Sequence, residues 1–205
     1  MTDATKSRLS DNVRTVVLAL LLAFGVRIGI AQAYVIDGPS MEPTLFQDER
    51  VVVARCAYGL SIPFVENALV RWADPAIGHV VIIQSPADGE DLVKRVVGLP
   101  GDLLEIREGI LFRNGEPAER IDRGPCDVDR QIDLDPSCHV FEEHLDGAGR
   151  WQTSGSGSLG DVMPPTRVPA DQVFVMGDHR DRSNDSRFFG PIPMSRLRGR
   201  VLFVD

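Results

Sequence analysis

The sequence lacks the features expected of a nucleic-acid-binding or metal-binding protein. Its net charge is −8, and its clearest basic stretch, residues 196–200, is short. A polyanion partner normally requires a concentrated basic face, so we expect no nucleic-acid partner. The four histidines and three cysteines show none of the spacings of a zinc site. We therefore predict that the protein has no metal site.

Cysteines are few, which limits the disulfides that the chain can form. Cys126 and Cys138 lie close together in a stretch rich in Pro and Asp. In an exported protein, where disulfides persist, we expect a bridge between them that closes a short loop. In a reducing environment the two would remain free thiols. Cys56 lies in an apolar run and is predicted to be a core residue.

The N-terminal apolar stretch is interrupted. Residues 15–26 carry no charge, Arg27 follows, and residues 28–36 are again mostly apolar. Together, residues 15–36 would reach about 33 Å at about 1.5 Å per residue, enough for one membrane span with Arg27 near the interface. A short apolar core followed by AQA at 31–33 also fits a cleaved secretory signal. Both interpretations place the remaining chain outside the cytoplasm, because the basic residues at the N-terminus favour keeping that end in the cytoplasm.

Beyond residue 36 the pattern is typical of β-structure. Short runs rich in β-branched residues and bounded by turn formers predict the strands. They cover residues 50–57, 79–84, 92–97, 103–106, 110–112, 173–176 and 201–204. Long helices do not alternate with these runs, which argues against a parallel α/β sheet. The predicted fold class is mainly β, with an antiparallel core preceded by one transmembrane helix.

The composition changes between residues 114 and 169, where Asp, Gly and Pro become frequent. This stretch predicts a smaller subdomain inserted into the β core. The predicted organisation is a cytoplasmic N-terminus at 1–14, a transmembrane anchor at 15–33, a core at 34–113 and 170–205, and an insert at 114–169.

Ser40 lies in the segment DGPSMEPT, residues 37–44, directly after the apolar N-terminus. Its Gly and Pro neighbours constrain the backbone, which suits a serine that presents its hydroxyl and its own N–H to a carbonyl. A serine in such surroundings is also typical of an ordinary turn. The segment alone therefore leaves both interpretations open.

Lys94 lies inside a run that predicts a buried strand. Strand alternation places Lys94 on the face opposite Val93 and Arg95. If that face is inward, burial lowers the pKa of the amine and favours the neutral form that a Ser-Lys enzyme needs as its base. If the strand lies at a sheet edge, an exposed lysine would instead discourage aggregation.

The third chemistry-bearing segment, residues 177–187, reads GDHRDRSNDSR and follows an apolar strand. Its Asp and Arg spacing suits bidentate pairs that fix a loop beneath a site, although solvated loops look similar. The four histidines keep a Ser-His-Asp triad formally open. They are His79, His139, His144 and His179. Each is expected to be a surface or packing residue.

Taken together, the chain resembles bacterial type I signal peptidase (leader peptidase), a membrane-anchored serine protease of Ser-Lys type. The resemblance lies in three blocks, which stand in the family's order and separation. They are GPSMEPTL at 38–45, VKRVVGLPGD at 93–102, and GDHRDRSNDSR at 177–187 followed by FFGP. The resemblance implies a mostly antiparallel β fold with an inserted domain, no metal or cofactor, and an uncleaved anchor that ends before the nucleophile.

The resemblance also implies a role for individual residues. Ser40 would be the nucleophile, with its backbone N–H in the oxyanion hole, and Lys94 the general base. Ser183 would orient the lysine amine. The residues expected to brace the site through charge pairs are Asp178, Arg180, Asp185 and Arg187. Those expected to contact the substrate are Ile36, Val93 and Met41.

The chain departs from the family pattern at three positions. Gly38 stands where well-studied members often carry a serine whose hydroxyl helps to hold the oxyanion. The resemblance therefore does not identify the second hydrogen-bond donor of the oxyanion hole. His179 replaces a more frequent Asn, and His79 stands where Asp is common. The two histidine changes leave the Ser-Lys pair intact.

The function implied by the resemblance is removal of N-terminal signal peptides from exported preproteins, after a small residue in an Ala-X-Ala type site. The expected location is the bacterial inner membrane, single-pass, with the catalytic domain outside the cytoplasm and in contact with membrane lipid. One alternative is a Ser-Lys peptidase dedicated to a conjugation or pilus substrate. Another is a non-catalytic, membrane-anchored β domain.

Overall fold

The fold consists mainly of short antiparallel strands. The computed structural model describes residues 12–19, 31–61, 69–127, 135–156 and 162–204. Strand β2, Arg50–Ala54, shows why the chain pairs in this way: its β-branched side chains alternate between buried and less buried positions, so one face packs inward. The mainly β fold class is confirmed.

The largest sheet in the described part of the chain has seven strands, and one of them, β6 (Asp91–Gly98), carries Lys94. Its ladders are antiparallel. In spatial order the strands are β1 (Ala31–Val35), β2 (Arg50–Ala54), β16 (Leu197–Val204), β5 (Val80–Gln84), β6 (Asp91–Gly98), β14 (Gln172–Met176) and β15 (Ile192–Pro193). The last long strand therefore pairs between two strands from the first half of the chain.

Two smaller sheets complete the core. The hairpin predicted at 103–112 forms as β7 and β8 and belongs to a four-stranded sheet. The order in that sheet is β13 (Met163–Arg167), β7 (Leu103–Arg107), β8 (Ile110–Arg113) and β9 (Glu116–Pro117). The two-stranded sheet contains β3 (Gly59–Ser61) and β4 (Leu69–Arg71).

The inserted segment has a sheet of its own. Its strands are β10 (Glu119–Pro125), β11 (His139–His144) and β12 (Arg150–Gly155). The predicted insert at 114–169 is wider than this sheet, because its ends form β9 and β13, which pair with core strands. A disulfide joins Cys126 to Cys138 where β10 and β11 meet, and Cys56 is a half-buried free thiol.

Helices are short. Residues 12–19 are helical, Ser186–Phe189 form one α-helical turn, and Arg180–Arg182 and Met194–Arg196 form 3-10 turns. Within the described ranges, no helix is both long and apolar enough to cross a bilayer. Much of the predicted anchor, residues 20–30, lies outside those ranges. Its last three predicted residues, 31–33, belong to strand β1.

Two hydrophobic clusters stabilise the fold. The larger joins the seven-stranded and four-stranded sheets and includes Phe174, Leu104 and, from the insert, Trp151. The smaller lies beneath the segment that follows β1. Its buried members are Ile36, Met41, Leu45, Val51, Val53 and Ile82.

Candidate active site

Ser40 lies on a tight turn between β1 and β2. Glu42 N donates to Pro39 O over 3.1 Å, and Leu45 N donates to Met41 O over 3.0 Å, so the backbone winds almost helically after the serine. The backbone N–H of Ser40 has no acceptor among the described residues. This turn therefore presents a hydroxyl and an unoccupied N–H from the same residue.

Lys94 reaches Ser40 from strand β6. Lys94 Nζ lies 2.8 Å from Ser40 Oγ and donates to Val93 O, also over 2.8 Å. The lysine is 2% exposed, although 54 residues separate it from the serine in sequence. The fold thus brings a primary amine into hydrogen-bond contact with the predicted nucleophile.

Burial determines the protonation of this amine. Desolvation lowers the pKa of Lys94 from 10.5 to about 8, because the charged form loses its hydration. The carboxylates of Asp185 and Asp178 oppose this by raising the pKa, whereas Arg187 lowers it further. A lysine with this pKa has a substantial neutral fraction near neutral pH and can accept a proton there.

Arg95, the residue after Lys94, is also buried, which simple strand alternation does not predict. Its guanidinium donates to both carboxylate oxygens of Asp178, over 2.8 and 2.6 Å, and to Gly78 O over 2.8 Å. It also lies 5.3 Å from the centre of the Trp151 ring. Both faces of β6 are therefore covered at this point, and the sequence pattern gave no indication that Arg95 has a role.

Two of the predicted bracing residues pair within the 177–187 loop. Asp185 is fully buried and accepts from Gly177 N and Arg187 Nε, each over 2.9 Å. Arg187 Nη2 also donates to Arg180 O over 2.7 Å. This pair closes the loop on itself and fixes its course beside Ser40.

The other two bracing residues pair outside the loop. Asp178 binds Arg95 on β6, as described above. Arg180 binds the buried carboxylate of Glu143 on β11, and Arg120 Nε lies 3.8 Å from the same carboxylate. The insert therefore supplies a counter-ion to the loop. Its composition gave no signal for this role, because Glu143 is one of many acidic residues there.

Ser183 is buried beside the site, but it makes no hydrogen bond to Lys94 in this structure. Its Oγ has no hydrogen-bond partner among the described residues, whereas the lysine amine is directed to Ser40 and Val93 O. Gly177 separates Ser183 from the nucleophile turn, since a Cβ at Gly177 would overlap both Ser183 Oγ and Ser40 O.

The residues expected to contact substrate lie at the smaller hydrophobic cluster. Ile36 is 3% exposed, and Val93 is half-buried and packs against the same cluster. Met41 is fully buried within the cluster, so its side chain packs in the core and is not exposed to a substrate. Gly38 has a φ of +87°, a left-handed conformation that glycine adopts readily and that disfavours a residue with a Cβ.

His79 and His179 lie near groups other than Ser40 Oγ and Lys94 Nζ. His79 Nδ1 lies 3.0 Å from the Tyr58 hydroxyl and accepts from Ala76 N, and burial lowers the pKa of His79. His179 is fully buried, with Nδ1 3.7 Å from Glu42 Oε2. Among the described residues, no histidine forms a hydrogen bond with the Ser40 hydroxyl.

We found no group of three or more His, Cys, Asp or Glu side chains suited to a metal ion in the described part of the chain. The polar groups at the site belong to a serine, a lysine and paired Asp–Arg side chains. This donor set suits proton transfer and nucleophilic attack on a carbonyl.

Comparison with known proteins gives a consistent result. Residues 9–204 match the family model described as signal peptidase, peptidase S26. The probable signal peptidase I-1 of Synechocystis sp. is 30% identical over 195 residues, covering 95% of this chain and 81% of the relative. Signal peptidase I P of Bacillus subtilis subsp. natto is 31% identical over 183 residues, covering 89% and 80%.

A signal peptidase I from Enterococcus faecalis V583, whose crystal structure is known, shares 26% sequence identity with this chain. The match covers 64% of this chain and 98% of that one, with a TM-score of 0.40.

Proposed function

The chain belongs to the signal peptidase family, peptidase S26, and from this we propose that it is a serine endopeptidase that removes N-terminal signal peptides from exported preproteins. It cuts after a small residue in an Ala-X-Ala type site. The observation that carries the proposal is the 2.8 Å contact between Ser40 Oγ and the buried amine of Lys94. Its partners are preproteins and the membrane lipid around its anchor.

In the first half-reaction Lys94 acts as general base. Its neutral amine takes the proton from Ser40 Oγ as that oxygen bonds to the scissile carbonyl carbon. The backbone N–H of Ser40, which has no acceptor in the described structure, donates to the developing oxyanion. When the intermediate collapses, Lys94 returns the proton to the leaving amine, and the signal peptide remains as an ester on Ser40.

The second half-reaction releases the signal peptide. The neutral Lys94 accepts a proton from a water molecule as the water attacks the ester carbonyl, and then protonates Ser40 Oγ as the ester breaks. The same amine thus serves both steps. Val93 O accepts an N–H of this amine over 2.8 Å and keeps it directed at the serine.

Selection of small side chains is assigned to the surface formed by Ile36 and Val93. Ile36 belongs to the smaller hydrophobic cluster and Val93 packs against it. An apolar surface of this kind suits a small apolar side chain such as that of Ala. Met41 supports this surface from inside the core. The ion pairs of Asp178, Arg180, Asp185 and Arg187 described above fix the course of the 177–187 loop, which lies beside Ser40.

We assign the protein to the bacterial inner membrane as a single-pass protein with its catalytic domain outside the cytoplasm. The anchor would consist of residues 15–30, directly followed by strand β1. The basic side chains that precede it favour a cytoplasmic N-terminus. The disulfide between Cys126 and Cys138 suits an extracytoplasmic location.

The proposal is tested by cleavage of a preprotein with an Ala-X-Ala site, in detergent. We expect the wild type to cut after the second Ala, and Ser40→Ala and Lys94→Ala to lose the activity. Ser137→Ala, at an exposed position in the insert, is the matched control and should cut like the wild type. The N-terminus of the product is identified by mass spectrometry.

Each other outcome has a distinct meaning. Cleavage that survives Lys94→Ala would refute the lysine base and point to a histidine. A wild type that is inert on the general preprotein but cuts a conjugation or pilus precursor would establish the dedicated peptidase. Retention of biological function by Ser40→Ala would establish the non-catalytic role.

A further inference from the structure

Strand β12, the last strand of the insert's own sheet, runs beside the turn that carries Ser40. Thr44 Oγ1 donates to Gln152 O over 3.4 Å, and Ser154 Oγ donates to Glu42 O over 3.0 Å. Ser154 is fully buried, and Glu42 is 1% exposed. The nucleophile turn is thus bonded to a strand more than 100 residues further along the chain.

Ser154 also binds the loop on the other side of that turn. Its N–H donates to Asp178 O over 2.9 Å, and it forms a parallel bridge with His179. The N–H of His179 donates to Ser40 O over 3.1 Å. Two carbonyls of the turn, those of Ser40 and Glu42, are therefore held by His179 and Ser154.

The contact between β12 and the loop continues beyond Ser154. Ser156 Oγ donates to Asp181 Oδ2 over 2.6 Å, and a Cβ at Gly155 would lie 3.3 Å from Arg180 Cβ. Such a close approach along consecutive residues shows that the end of β12 lies directly against the loop. Ser154 is the residue in this contact whose side chain reaches the nucleophile turn.

From these contacts we infer that Ser154, a residue of the inserted subdomain, is a positioning residue for cleavage. Its hydroxyl holds Glu42 O, and its backbone holds the loop segment that binds Ser40 O. Together these bonds keep the Ser40 hydroxyl directed at Lys94. Ser154 contacts no reacting atom, so its effect is on the geometry of attack. The inference rests on the proposed function.

The test compares Ser154→Ala with Thr153→Val. Thr153 is the matched control, because it is fully buried on the same strand but its hydroxyl bonds no described residue. We expect Ser154→Ala to lower kcat by at least about tenfold with KM changed by less than about twofold, since small misplacements of reacting groups are costly. Thr153→Val should change kcat by less than about twofold. A residue that only stabilised the fold would not be expected to lower kcat while leaving KM unchanged.

A second measurement reports on the turn without any substrate. Amide hydrogen exchange of the segment that contains His179 reports on the bond from its N–H to Ser40 O. We expect Ser154→Ala to speed this exchange at least about tenfold while the exchange of strand β14, Gln172–Met176, stays unchanged. Thr153→Val should leave both unchanged.

The outcomes separate the two proposals. A wild-type kcat in Ser154→Ala, or unchanged exchange at His179, would overturn the positioning role and leave the proposed function standing. Equal acceleration of exchange in β14 would show general destabilisation and would also overturn it. A wild type that cuts no preprotein would refute the proposed function, and the exchange measurement would still decide whether Ser154 holds the turn.

Discussion

The pH dependence of cleavage is the most direct test of the lysine base. Lys94 is 2% exposed, and desolvation lowers its pKa to about 8 against the opposing charges of Asp185 and Asp178. Only the neutral amine can accept the proton of Ser40, so the rate should follow the neutral fraction of Lys94. Lowering the pH from 9 to 5 is therefore a graded removal of the base.

The pKa sets the size of the effect. With a pKa of about 8, roughly 9% of Lys94 is neutral at pH 7 and about 1% at pH 6, whereas an exposed lysine with a pKa of 10.5 would be only about 0.03% neutral at pH 7. We expect kcat/KM to rise about tenfold per pH unit up to about pH 7 and to level off above about pH 9. Burial thus supplies about 300-fold more base at neutral pH.

The assay is kcat/KM for a preprotein in detergent at constant ionic strength, on a substrate without groups that titrate between pH 5 and 9. Incubation at each pH followed by assay at pH 8 controls for loss of folding. A flat profile down to pH 5 would refute the reasoning. A midpoint near 6.5 that persists in Lys94→Ala would assign the base to a histidine.

Three further changes test the surroundings of the site. Lys94→Met should abolish cleavage yet raise the free energy of unfolding at pH 7 by up to about 3 kcal/mol, because the folded protein no longer buries an amine that is charged below pH 8. In denaturant titrations this gain should shrink as the pH rises from about 8 to 10.5, where both states of the wild type become neutral. Its persistence above that range would contradict the assignment. Arg95→Met should lower the free energy of unfolding by about 3–5 kcal/mol, because Asp178 is left buried without its cation, and adding Asp178→Asn should recover part of the loss. Gly177→Ala should lower kcat strongly, because its Cβ would displace Ser40 O, and wild-type kinetics would show that the turn can yield.

Much of the fold could be predicted from short patterns in the sequence. The runs at 50–57, 92–97 and 173–176 form strands at 50–54, 91–98 and 172–176, and the hairpin at 103–112 forms where its turn residues predict it. Boundaries differ by a few residues, because pairing partners decide where a strand ends. The ends of the segment predicted as an insert, residues 114–169, form β13 and β9, which pair with β7 and β8.

The candidate site was predictable only in part. Ser40 and Lys94 were selected by the resemblance of three sequence blocks, in order, to a known family, because each segment alone also had an ordinary explanation. Arg95, Glu143 and Ser154 were missed. Strand alternation gave no signal for Arg95, and the composition of the 114–169 segment gave none for Glu143 or Ser154. Their roles depend on which distant groups they meet, and no local pattern carries that information.

The sequence alone determined the strand pattern and the exported location expected for the chain, since each depends on residues adjacent in the chain. The two residues proposed for the chemistry came from the resemblance of three separate sequence blocks to a known family. The tertiary structure decided the rest. It brings Lys94 to 2.8 Å from Ser40, removes water from the amine and thereby lowers its pKa to about 8. It also places a strand of the insert against the nucleophile turn. Desolvation and long-range hydrogen bonds exist only in the folded chain, because they depend on the packing of segments far apart in sequence.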